Sequence, residues 1–380
     1  PSTSFWQDGM RRLFQNKVAI LCIVVLSLII LSAIFVPILS PFTYSEQHVT
    51  HSNQGMFFTC PDTGRSRTLA QSDLIVYAMD YSSWYSYESA FDAEGQLTSA
   101  VSYVTSDSTQ TVYTLTGHGE ADLPSLLSGD LEKANLTVSE LSLLMDGAVP
   151  EDASLVLINA PTSDLAAEEV TLLEDYVTGG GHLLLLVDQD KGALPNLEGL
   201  MERAGLTMAS GYIADPQRCY RSLQGQDSYY SLAPHFTVGT LSDSLSADSQ
   251  FMFLNTRGFT QLETLPDDVT VETVLATSDG AYAVTQTEQV QGEYLLGAIS
   301  TLGDNSGTVT VFSAALANEA VLTYYPSMGN EQLFVNAVTA HMDQSSTFSI
   351  PSKSLEETYN TITLAGPLSF LFVLVLPVGT

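Results

Sequence analysis

Ala153-Ser154-Leu155-Val156-Leu157-Ile158-Asn159-Ala160 and Gly179-Gly180-Gly181-His182-Leu183-Leu184-Leu185-Leu186-Val187-Asp188 decide the fold. Each holds a nearly continuous apolar run of strand length, which suits a strand buried on both faces of a parallel sheet. Between them Leu165, Leu172, Leu173, Tyr176 and Val177 recur at helical spacing, with Ser163 or Asp164 as the cap and the three glycines as the stop. Upstream, Thr111–Thr116 is a β-rich run, Pro124 suits a helix start, and Leu123, Leu126, Leu127, Leu131 and Ala134 share one face. Val138–Leu143 is a further strand candidate. Leu197, Leu200, Met201 and Ala204 form a third stripe closed by Gly205. Strand alternating with helix predicts an α/β fold with a parallel, Rossmann-like sheet over residues 111–205. Right-handed crossovers place its strand ends on one edge.

Residues 206–342 are richer in strands, at Leu206–Ile213, Phe251–Asn255, Thr270–Ala276, Ala281–Thr285, Tyr294–Thr301 and Thr308–Ala314, followed by a helix from Asn330 to His341. This part either extends the sheet or forms a β-rich lobe inserted in it. Residues 40–110 read as a β- and loop-rich lead-in, and 343–361 as a polar stalk.

Both ends are apolar. Val18 to Leu39 carries no charge, enough to span a bilayer as a helix, and Ile362 to Thr380 is a second, truncated run. Of 12 Lys and Arg and 43 Asp and Glu, three and one fall within residues 1–17, giving that lead a net charge of +2 and the rest −33. Positive charge marks the cytoplasmic flank, so residues 1–17 are expected inside and the main domain outside, anchored to the lipid bilayer of the cell membrane. The chain reads as a fragment trimmed at one or both ends. A nucleic-acid partner is excluded, because phosphate binding needs clustered cations. Cys60 and Cys219, the two cysteines beyond the apolar span, could pair outside the cell, but are read first as unpaired, non-catalytic thiols.

Two resemblances add to this reading. Residues 5–48, with Arg11-Arg12-Leu13, Asn16-Lys17 and the Pro37-Ile38-Leu39-Ser40-Pro41 exit, resemble the N-terminal segment of OppC/DppC-type oligopeptide and dipeptide ABC transporter permeases. From about residue 69 to 380 the chain resembles the GldG-type auxiliary family of gliding-motility ABC transport systems. The residues that carry this likeness include Phe91-Asp92-Ala93-Glu94-Gly95-Gln96-Leu97, Val112-Tyr113-Thr114-Leu115-Thr116-Gly117-His118-Gly119-Glu120 and Asn159-Ala160-Pro161-Thr162-Ser163-Asp164-Leu165. Tyr176–Gly181, Pro195-Asn196-Leu197 and Gly329–Val338 complete the series. The resemblance implies an amidotransferase-like domain flanked by membrane helices, working without catalysis beside an ABC ATPase subunit and a multi-helix permease on an unidentified cargo. A permease fragment, an amidotransferase-like hydrolase and a free-standing solute sensor are the rival readings.

Ligands of open parallel sheets bind at the carboxyl ends of the strands. That edge should present Gly117, His118, Gly119 and Glu120, with Asn159 and Asp164 from the second loop and Asp188 and Asp190 from the third. These could receive a small polar or cationic ligand, or a divalent metal held by His118 with carboxylates. The plainer reading makes the glycines turn formers, gives His118 a backbone partner, and puts Glu120 and Asp164 at helix starts. One histidine among scattered acids lacks metal-ligand spacing, so no metal or other cofactor is expected. No cysteine lies between Cys60 and Cys219 to act as a nucleophile at this edge, and Gly-x-Ser-x-Gly, His-Glu-x-x-His and phosphate-loop motifs are missing. Tyr81, Trp84, Tyr85 and Tyr87 form an aromatic stretch that either packs a loop or recognises a sugar, peptide or subunit.

Overall fold

The computed structural model describes residues 55–80, 85–106, 110–188, 192–222, 225–303, 307–342, 350 and 352–355. The chain divides into two compact units, 1–55 and 56–380, and all of the described strands and helices belong to the second. The lead, the expected spans at 18–39 and 362–380, and most of the stalk lie outside the described residues. Among the described residues no helix is long and apolar enough to cross a membrane.

The main sheet contains β1 (Gln110–Leu115), β2 (Leu136–Leu141), β3 (Ala153–Asn159), β4 (His182–Val187), β5 (His235–Phe236), β6 (Val269–Ala276), β7 (Leu295–Leu302) and β8 (Gly307–Ser313). Their order is β5-β6-β7-β8-β4-β3-β1-β2. From β8 to β2 all neighbours are parallel, and from β5 to β8 all are antiparallel. Part of residues 206–342 therefore extends the first sheet, with β8 pairing β4 from Thr308↔His182 to Ser313↔Val187, while other strands of that stretch form two separate three-stranded sheets.

Alternation along the apolar strands sends side chains to two cores. Leu155, Leu157, Leu184 and Leu186 join Leu127 and Leu131 of α2 (Ser125–Lys133) and Leu333 and Phe334 of α5 (Asn330–Thr339). Val156, Ile158, Leu183 and Leu185 join Leu173 and Val177 of α3 (Ala167–Thr178) and Leu197 and Leu200 of α4 (Pro195–Arg203). Helices thus cover both faces of the sheet, as fully apolar strands require.

The lead-in holds a helix that the sequence reading passed over, α1 (Ala93–Thr105). It buries Gly95, Ser99, Ala100 and Val104, a face of small and polar residues with no apolar stripe to announce it. Ser99 receives Arg67 Nη1 at 2.9 Å and donates to the Lys133 carbonyl, fixing the helix by hydrogen bonds. Beside it stands a three-stranded sheet of Ile75–Asp80, Tyr85–Phe91 and Lys353–Ser354. Within the expected stalk, Lys353 and Ser354 therefore pair with Phe91 and Ala90 as an edge strand.

Candidate functional site at the carboxyl edge

The carboxyl ends of β1, β3, β4 and β8 lie side by side. Beyond β1 the chain turns through Gly117 at φ +120° and Gly119 at φ +71°, both in the region that favours glycine. At Gly119 a Cβ would lie 2.2 Å from Thr162 Oγ1, so glycine is also needed for space. The loop after β3 is stitched to this turn. Thr162 and Ser163 each donate a backbone N–H to the His118 carbonyl at 2.9 Å, and Asn159 Nδ2 donates to the Ala121 carbonyl at 2.7 Å.

His118 is buried, and both of its ring nitrogens face carboxylates. Nδ1 lies 3.0 Å from Glu120 Oε1, and Nε2 lies 2.8 Å from Glu169 Oε2. Glu120 Oε2 also accepts the His118 backbone N–H at 2.8 Å. Glu169 Oε2 accepts the Ala166 N–H at 2.8 Å, closing the first turn of α3. The result is a latch tying the loop after β1 to α3 and the loop before it. His118 takes carboxylate partners rather than the expected backbone one, and neither ring nitrogen is free for a ligand. The turn instead exposes Gly117 and Gly119.

Glu169 escaped the sequence reading, although its signal was present. It stands four residues before Leu173 and eight before Val177, the other buried residues of α3, as the one charge on an apolar stripe. Asp164 does not cap α3, whose cap residue is Ala166. Its carboxylate accepts the N–H groups of Asn196 at 2.9 Å and Leu197 at 3.1 Å, capping α4. Asp188 immediately follows β4 at the same edge. The structure thus gathers Gly117 to Glu120 with Asn159, turns Asp164 to the start of α4, and leaves Asp188 one strand further along.

The aromatic stretch belongs elsewhere. Tyr85 and Tyr87 are exposed on the Tyr85–Phe91 strand, while Tyr81 and Trp84 lie outside the described residues. At the foot of that strand Asp92 meets Lys133 Nζ at 2.6 Å, where α2 ends and β2 begins. The strand therefore rises from beside the amino edge. That edge also holds an open cavity of about 300 Å³, lined by Gln110, Ala153, Tyr176, His182 and His341 among others. His182 and His341 stack there at 4.5 Å, and burial together with its neighbour pushes His182 down to about 4. Cys60 and Cys219 are free thiols, and among the described residues no cluster of His, Cys, Asp and Glu has the makings of a metal site.

Residues 109–337 match the model of a family described as an ABC-type uncharacterized transport system. The match begins one residue before β1 and ends within α5, so it covers the main sheet and its carboxyl edge. The chain belongs to this family. Residues 4–55 separately match the N-terminal transmembrane domain of oligopeptide transport permease C. Among curated proteins nothing matches. Solved structures match the chain at low similarity. The N-terminal domain of mmIFT52 is 13% identical, with 59% of this chain and 94% of that one covered at a TM-score of 0.44. PurLQS from Thermotoga maritima is 11% identical, with 61% and 98% covered at 0.36. The exo-β-1,4-mannosidase Op5Man5 from Opitutaceae bacterium strain TAV5 is 15% identical, with 64% and 38% covered at 0.36. At these scores none of the three bears on function.

Proposed function

We propose that the chain is a membrane-anchored, non-catalytic auxiliary subunit of an ABC transport system, with the α/β domain on the extracytoplasmic side. The observation that carries this reading is the family match over the whole main sheet, joined in one chain to a permease-type N-terminal transmembrane segment. The domain binds cargo or a partner at the carboxyl edge, where exposed Gly117 and Gly119 offer backbone groups beside Glu120, Asn159, Asp164 and Asp188. Exposed Tyr85 and Tyr87 offer a second contact surface for a partner subunit. Catalysis has little support at this edge, since its histidine is engaged on both nitrogens and the described cysteines sit on other elements.

Extraction of host membranes in mild detergent and capture of the full chain test the assignment. An ABC ATPase and a multi-helix permease should co-purify. Repeated recovery of the chain alone would overturn the reading. Exposed Tyr229 should react with an impermeant tyrosine reagent in whole cells, and protection until lysis would reverse the sidedness.

A further inference from the structure

Arg257 lies between the short strands Phe253–Leu254 and Phe259–Gln261 and is only 6% exposed. Its guanidinium makes a single hydrogen bond among the described residues, from Nε to the Ala209 carbonyl at 3.2 Å. No carboxylate pairs with it among the described residues. Several other buried or half-buried charges of this domain are compensated. Fully buried Asp215 accepts from the Gln217, Arg218 and Ser278 N–H groups and from Ser278 Oγ. Lys133 pairs with Asp92, and Arg67 Nη1 donates to Ser99 and Asn135.

Its backbone is held firmly. The Thr256 carbonyl accepts the Ile213 N–H at 3.0 Å, and the Gly258 carbonyl accepts the Ala209 N–H at 2.9 Å. Thr256 Oγ1 donates to Ser313 Oγ. Ser313 ends β8 and pairs with Val187, the last residue of β4. Arg257 therefore stands at the carboxyl edge of the parallel strands. Three strand spacings, roughly 14 Å, separate β8 from β1 and its latch. The guanidinium is largely withdrawn from water with no opposite charge beside it, while its terminal nitrogens are not fully enclosed and stay open to an incoming anion. Its four terminal N–H groups form a fork that matches two oxygens of one carboxylate or phosphate.

We propose that Arg257 is an anion-receiving residue, which takes the carboxylate or phosphate group of a small ligand at the carboxyl edge of the sheet. Nothing in this requires the chain to be a transport subunit, so the two proposals stand or fall separately.

Thermal melting of the purified full chain in inorganic phosphate or in acetate, against chloride at equal ionic strength, tests it. At least one of the two anions should raise the melting temperature saturably, and which one does so separates a phosphate from a carboxylate ligand. Arg257→Met should abolish the rise. Without ligand it should melt at or above the wild-type temperature, because an apolar chain replaces an unpaired buried charge. Arg257→Lys keeps the charge without the fork and should weaken the anion by about tenfold or more. Three results would each overturn the proposal: no anion effect beyond chloride, an effect that survives in Arg257→Met, or a ligand-free Arg257→Met that melts well below wild type.

Discussion

Removing the imidazole of His118 should unfasten the carboxyl edge, and the structure sets the size of the effect. The side chain makes two hydrogen bonds to carboxylates in a site where His118 is 4% and Glu169 is 2% exposed. Hydrogen bonds to charged groups are worth about 1.5–3 kcal/mol each, and removing one member of a buried pair costs about 3–5 kcal/mol because the other charge stays behind. His118→Ala leaves both Glu120 and Glu169 buried without their ring partner, so about 3–5 kcal/mol is expected. Glu169→Gln should be milder, at about 1–2 kcal/mol. Oε2 makes both contacts, so an amide oxygen in that position still accepts the Ala166 N–H and an N–H from Nε2, while the amide nitrogen takes the place of Oε1, which has no partner among the described residues. Glu169→Ala loses the α3 cap as well and should approach the His118→Ala value. Urea unfolding followed by far-ultraviolet circular dichroism measures each, and the His118→Ala/Glu169→Ala cycle should return a coupling of about 1–3 kcal/mol. A His118→Ala loss below about 1 kcal/mol, or strictly additive single effects, would refute the latch.

Other sites give further expected outcomes. Burial and the Glu331 carboxylate hold the Asp130 carboxyl up at about 8, from an ordinary 3.8, where α2 meets α5. Its folded form therefore keeps a proton that the unfolded chain releases, so its contribution is full below about pH 4 and is lost as pH rises through about 8. Asp130→Asn should flatten that part of the melting-temperature profile and leave the protein more stable than wild type at pH 8. His182 works in the opposite direction, since its depressed value of about 4 makes its contribution full above about 6.5 and lost as pH falls toward 4. His182→Phe should remove that acid-side loss, seen in melts between pH 6.5 and pH 4. Gly119→Ala should cost about 1–3 kcal/mol in urea unfolding through its positive φ and the clash with Thr162, and Thr162→Ala should recover part of the loss.

The parallel sheet was legible because its strands are buried on both faces, and a continuous apolar run such as Leu183 to Val187 has few other uses. The turn at Gly117 to Glu120 was legible for a related reason, since glycines that follow a strand at the carboxyl edge mark a change of direction. Partners distant in the chain were not. Asp164 looks like the cap of the helix that follows it, yet it caps a helix whose first residue lies 31 positions away. Whether residues 206–342 extended the sheet depended on β8 crossing back to β4, a pairing between residues 126 apart that no local pattern encodes. Helix α1 stayed hidden because small residues and hydrogen bonds, rather than an apolar stripe, hold it in place. Glu169 and Arg257 were missed because a lone charge in an apolar or connecting segment looks like solvated surface until its burial is seen.

The described unit also sorts its attachments from its candidate binding groups. The Met56–Thr59 and Ser66–Leu69 hairpin packs on α1, through Arg67 to Ser99 and through Thr63 Oγ1 to the Val104 carbonyl. At the other end of the unit Lys353 and Ser354 pair with the Tyr85–Phe91 strand, the Leu355 N–H reaches the Ser89 carbonyl at 2.8 Å, and Lys353 meets Glu94 at 2.6 Å. The two described ends therefore converge on one small lobe, whose Asp92 is tied to Lys133 beside the amino edge of the main sheet. The latch and Arg257 occupy the carboxyl edge, a full strand length away, about 20 Å for six residues. Close packing on both faces makes the sheet between them a stiff spacer, so a substitution in the lobe should leave the carboxyl-edge latch in place.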